Sequence, residues 1–225
     1  MATESAKAET GLSKPEIDNH IMKLIVGVIA LTLASLTALF SPSPLDSISA
    51  SYHAGGWSRD IFVGFLFAIG AFLLAYNGKE WPAEMVLAKI AAFAAAGVAM
   101  FPCECGRGIE IIPYVHYISA AVMFIILAAF CWMFFNRARA KHRRKADWRA
   151  IIYAGCGIVI VVAVAVLSYD GLTDGSLSAK VPRLIFYGET AGLVAFGFSW
   201  LVASRVFPVI TDPNERVHVL PKRPH

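Results

Sequence analysis

The chain has 225 residues, of which 57% are hydrophobic and only 16% charged, with a formal net charge of +4 and a mean hydropathy of +0.61. Soluble domains carry about 45–50% apolar residues, so the composition excludes an ordinary soluble domain. The charges are clustered rather than spread, and the small positive surplus is therefore not a nucleic-acid signature. The fold class expected is all-α: a polytopic membrane helical bundle with six transmembrane helices.

A spanning helix needs about 20 mostly apolar residues. Six stretches qualify, at 21–41, 60–77, 84–102, 113–135, 149–168 and 184–205. They divide the chain into a polar N-terminal tail (1–20), one transmembrane domain (21–205) and a polar C-terminal tail (206–225). The first 20 residues, MATESAKAETGLSKPEIDNH, lack the basic and apolar regions of a cleaved signal peptide, so the first span is expected to persist.

Between spans one and two lies SPSPLDSISASYHAGGWSRD, rich in loop formers and bearing His53, Arg59 and Asp60. Ser58 is suited to cap the second span, with Asp60 in its first turn favouring the positive end of the helix dipole. Between spans three and four, FPCECGRG holds Cys103 and Cys105. A Cys-x-Cys pair can close a small disulfide, exchange thiols or supply two metal ligands, and the spacing does not choose among these. Both cysteines are expected to be accessible at the outer face and to add little to folding, because so short a loop loses little entropy on closure. Cys131 and Cys156 fall inside spans and read as small core residues.

Span four opens with His116 and Ser119, three residues apart and on similar faces of the helix. It is followed by NRARAKHRRKADWR, with seven basic residues from Arg137 to Arg149. Span six contains YGETAGLVAFG. Glu189 lies about 9 Å deeper than Arg183 at 1.5 Å per residue. An ionisable group at that depth is costly and should face the bundle interior with a partner. Arg183 is about 240° around the helix from it, which leaves Arg59 or a protonated His116 as the expected partners. Gly188 and Gly192, four apart, predict a close helix approach.

Orientation follows from lysine and arginine. The basic loop, Lys7, Lys14, Lys23, Lys79, Arg205, Arg216, Lys222 and Arg223 fall on or near one side. Only Arg59, Arg107, Lys180 and Arg183 fall on the other. The positive-inside rule then makes both termini cytoplasmic, in a bacterial inner membrane.

On this topology the polar groups with chemical potential gather at the outer leaflet. The first function expected is an outer-leaflet polar cavity lined by His53, Arg59, Asp60, His116, Ser119 and Glu189, binding a lipid headgroup or a partner helix. The second is a metal-dependent hydrolase of a lipid amide or ester. There zinc would sit on His53, His116 and one of Asp60 or Glu189, Asp60 first, with one position open and the free acid handling a proton. The chain has no Walker loop, dinucleotide fingerprint or His-Glu-x-x-His, and membrane lipids rather than nucleic acid are the partners expected.

The stretch SISASYHAGGWSRDIFVGFLFAIGAFLLAYNG, then MFPC, then VHYISAAVMF, resembles bacterial multi-spanning proteins with no assigned function, over roughly residues 47–135. The resemblance implies a polytopic membrane fold. A looser similarity, by residue type alone, links Ser51, His53, Asp60 and His116 to the zinc-binding bundles of alkaline ceramidases and adiponectin receptors. Those have seven spans and a His-x-x-x-His pair, whereas this chain has six expected spans and no such pair.

The orientation is directly testable. A cysteine placed at position 142 should resist an impermeant thiol reagent added to intact cells, and strong labelling there would reverse the topology.

Overall fold

The computed structural model describes residues 19–76, 82–104, 112 and 114–216. Seven α-helices and one short 3-10 turn account for the regular structure among these residues: α1 (Asn19–Leu39), α2 (Ser51–Ala54), α3 (Gly56–Ala75), α4 (Pro82–Met100), α5 (Val115–Arg139), α6 (Arg144–Leu172), α7 (Leu184–Ala203) and the turn Pro213–Glu215. Six of the helices are long and apolar enough to cross a membrane, as the hydropathy pattern predicts.

Local chemistry sets their ends. α1 stops ahead of Ser41-Pro42-Ser43-Pro44, where proline denies the helix its next amides. α4 opens on Pro82, a residue already suited to a first helical turn. The second span begins four residues earlier than its apolar run. Gly55 and Gly56, at φ 72° and 54°, break the chain between α2 and α3 in a conformation that side chains disfavour. Ser58 is consequently not the cap: it lies inside α3 and donates its hydroxyl to the Thr37 carbonyl of α1 at 2.9 Å.

The six long helices form a ring. Each packs on its neighbours in sequence, α3 on α1, α4 on α3, and so on to α7, and α1 closes the circle against α7. Only 22–50% of each span's apolar window is buried inside the bundle. The outward residues, Phe93, Ile125 and Ile158 among them, therefore need an apolar solvent such as lipid. Inside the ring an aromatic cluster fills one half, with Trp200 5.2 Å from Phe196, 5.5 Å from Phe130 and 5.7 Å from Tyr76 between ring centroids.

A glycine-mediated close approach of two backbones lies at the closure. A Cβ on Gly197 would sit 2.8 Å from the Gly27 carbonyl oxygen, and one on Gly27 would sit 2.9 Å from that of Gly197. The expected Gly188 and Gly192 pair plays another part. These two receive side chains, Leu167 and Phe124 respectively, rather than a neighbouring backbone.

Gly197→Ala should therefore lower stability by about 1–3 kcal/mol through overpacking. Gly155→Ala, with open space around it, should not. Thermal unfolding of the two detergent-purified variants checks this, and equal melting temperatures would refute the close closure.

Candidate functional site

The sequence-predicted residues divide into separate groups at one end of the bundle, the histidine end. Residues 41–50 fold inward there, burying Leu45, Ser47, Ile48 and Ser49. α7 holds this segment at three points. Arg183 donates its Nε to the Leu45 carbonyl at 2.8 Å, the Phe186 amide donates to the Asp46 carbonyl at 3.0 Å, and Glu189 accepts from the Ile48 amide at 2.5 Å. The partner that Glu189 needed is thus a backbone amide together with the Ser49 hydroxyl at 3.3 Å.

His116 joins the same network from α5. Its Nε2 lies 3.0 Å from Ser49 Oγ, and its Nδ1 lies 2.8 Å from the Phe101 carbonyl oxygen. A carbonyl only accepts, so Nδ1 carries a hydrogen. Ser49 has one hydrogen for two polar neighbours, and the second contact needs another proton, on Nε2 or on the Glu189 carboxyl. The pair is either imidazolium with carboxylate or neutral imidazole with carboxylic acid. Its net charge is zero in both, which suits a site where His116 is 3% exposed.

The remaining expected residues stand apart. Arg59 does not reach Glu189; it pairs with Asp60 at 3.5 Å on the exposed face of α3, where both line an open groove with Tyr52 and Met100. His53 spends its Nε2 on the Cys103 carbonyl at 2.7 Å. Ser119 packs where a side chain on Gly97 would lie. The ligand set of His53, His116 and Asp60 is not assembled, and among the described residues no group of three or more His, Cys, Asp or Glu is placed to hold a metal. Cys103 is fully buried and disulfide-bonded rather than accessible. Cys105, Arg107 and Glu110 lie outside the described residues.

At the opposite, basic end the ring encloses a cavity of about 200 Å³, lined by Lys23, Arg137, Lys141, Arg149 and Arg205 among others. Its floor is the aromatic cluster: Tyr76, Phe134 and Tyr153 all face it. Lys23 is buried there with its ammonium 5.2 Å above the Tyr76 ring and 5.0 Å above Phe134, which ring quadrupoles favour. Glu84 has no exposed surface. One of its oxygens accepts from Tyr76 Oη at 2.5 Å and the other binds Arg137.

A second carboxylate enters from the C-terminal segment, which folds back over this end. Glu215 Oε1 accepts from Lys141 at 2.6 Å, and Oε2 lies 3.0 Å from Arg149 and 3.2 Å from Arg205. Burial raises the Glu215 carboxyl, but the hydrogen bonds from Lys141 and Arg149 and the Arg205 charge outweigh it and hold it at about 2 against an ordinary 4.5. A depressed folded value means that Glu215 adds stability above pH 4.5, lost as pH falls towards 2. Among the described residues five cations thus meet two carboxylates, and Arg149 Nη1 is buried with no hydrogen-bond partner among them. That arrangement can take an anion.

The positive-inside reading accounts for these lysines and arginines by topology alone, and so passes over the cavity. Two signals were present. Glu84 is an acid at the opening of the third span, and Glu215 stands among basic residues in a tail.

A family model described as a protein of unknown function, DUF998, matches residues 24–199, and the chain belongs to that family. No curated protein and no solved structure matches it. No link to the alkaline ceramidases or adiponectin receptors is shown.

The Ser49 bridge makes its own prediction. Ser49→Ala leaves His116 and Glu189 without their shared hydroxyl and should cost about 1–3 kcal/mol. Ser43→Ala, at an exposed position of the same segment, should cost nothing measurable. Parallel melts of the two variants decide the matter, and an unchanged Ser49→Ala would show the bridge to be dispensable.

Proposed function

Membership of that family leaves the reading to the geometry of the chain itself, and we propose that this integral membrane protein binds the phosphate-bearing headgroup of an anionic lipid in its basic-end cavity. The observation that carries the reading is Arg149. Its side chain is 4% exposed, it lines the cavity, and its Nη1 has no acceptor among the described residues. A buried guanidinium nitrogen left without an acceptor is expensive, and a phosphate oxygen is the acceptor its fork geometry suits best.

Size and setting support a lipid. A cavity of about 200 Å³ is smaller than the roughly 300–1,000 Å³ pockets that enclose drug-sized ligands. It suits a headgroup whose tails stay in the bilayer. The ligand class is the one the sequence suggests, with its seat at the basic end rather than at the histidine end. With the basic side cytoplasmic, the cavity opens at the headgroup level of the inner leaflet, where anionic lipids attract lysine and arginine at about 1 kcal/mol each.

The protein reconstituted in nanodiscs should retain phosphatidic acid and phosphatidylglycerol over phosphatidylcholine, and inorganic phosphate should not displace them. Arg149→Gln should weaken retention at least tenfold, the equivalent of about 1.4 kcal/mol. Equal retention of all three lipids, or displacement by free phosphate, would remove lipid binding as the function.

A further inference from the structure

Resting on that headgroup reading, we infer that Glu215 is a built-in competitor for the headgroup, and that a phosphomonoester lipid is the ligand able to displace it. The Pro213–Glu215 turn places one carboxylate on three cavity cations at once: Lys141, Arg149 and Arg205. These are the contacts a phosphate would make, with carboxylate oxygens standing where phosphate oxygens would go.

The turn is attached in a way that lets it leave. Up to Thr211 the C-terminal segment is firmly seated: Thr211 is fully buried, and Phe207 and Ile210 pack against the core. Beyond it the ties among the described residues are fewer. Asp212 Oδ2 lies 3.6 Å from Arg143, beyond hydrogen-bond distance, and the arginine side chain is half exposed. Arg216 returns to the Pro208 carbonyl at 2.9 Å at an exposed position. Among the described residues, the closest ion-pair contacts of the turn are those of Glu215. Its carboxyl stays ionised at neutral pH, so it competes as a full charge.

Oxygen counting gives the preference. Glu215 offers two acceptor oxygens, one engaged by Lys141 and the other shared by Arg149 and Arg205. A phosphodiester headgroup also offers two free oxygens and a single charge, so it exchanges like for like. A phosphomonoester offers three oxygens and close to two charges. The third oxygen can serve Arg149 Nη1, which Glu215 leaves without a partner among the described residues. Removing Glu215 from its three cations leaves Glu84 as the carboxylate lining the cavity among the described residues, and the positive surplus among them grows.

The test uses the full chain in nanodiscs with phosphatidic acid and phosphatidylglycerol of matched acyl chains. The wild-type protein should prefer phosphatidic acid. Glu215→Gln should tighten both lipids by about tenfold, most visibly the phosphodiester, as expected when a competing charge worth about 1.4 kcal/mol is removed. Hydrogen exchange on the wild-type protein gives a readout free of any folding defect in the variant. The amides of Glu215 and Arg216 should exchange faster when phosphatidic acid is added, while those of α7 stay protected. Wild-type binding with no gain in Glu215→Gln and no change in exchange would overturn the competitor and leave the headgroup reading standing. No binding of either lipid to either protein would overturn both.

Discussion

The basic end depends on one constraint, a carboxylate with no exposed surface inside an apolar ring. Removing a charge from water costs several kcal/mol even after relaxation, and only well-placed partners repay it. Glu84 is repaid by Tyr76 at the end of α3 and by Arg137 on α5, so a single side chain on α4 ties together the three consecutive helices around it. Lys23 then settles over Tyr76 and Phe134, and the remaining arginines are left to gather round a space they cannot fill. Among the described residues the cations around the cavity outnumber the carboxylates that meet them.

The histidine end solves the same problem without an arginine or lysine on the carboxylate. Glu189 sits deep enough to need compensation and finds it in a folded-in segment whose amide and hydroxyl point at it. The Ser49 hydroxyl passes the connection on to His116, so α5 and α7 are fastened through a loop rather than by direct contact of the two ionisable groups. This neutral, well-satisfied network has a structural logic of its own. Its polar atoms already have partners, whereas at the basic end Arg149 Nη1 has none among the described residues.

The two ends also differ in how they close. At the histidine end the covering segment runs between α1 and α3 and is held at three points by α7. At the basic end the cover is the chain beyond α7, seated by partly buried Phe207 and Ile210 and by buried Thr211, with Glu215 ion-paired after that. A loop tied at both ends is a fixed part of the fold. A segment whose last turn depends on an ion pair can exchange that pair for a ligand.

Composition and the lengths of apolar runs determined the architecture: six spans, helical throughout, with the polar residues left to the ends. These are local properties, since each helix must satisfy its own backbone in an apolar medium whatever its neighbours do. The same reasoning also marked Glu189 as needing a partner and His116 as near it. Tertiary structure alone decided who the partner was. Ser49 and Ile48 are about 140 residues away in sequence, and no periodicity reports that a serine-rich loop turns inward while Arg59 turns out. It also decided that Gly27 and Gly197, rather than Gly188 and Gly192, bring two backbones together, because helix rotation is set by packing around the ring. The cavity is the clearest case. Every one of its arginines is legible as a topology signal, and only the closing of α1 against α7, with the C-terminal segment folded back, makes them converge on one space.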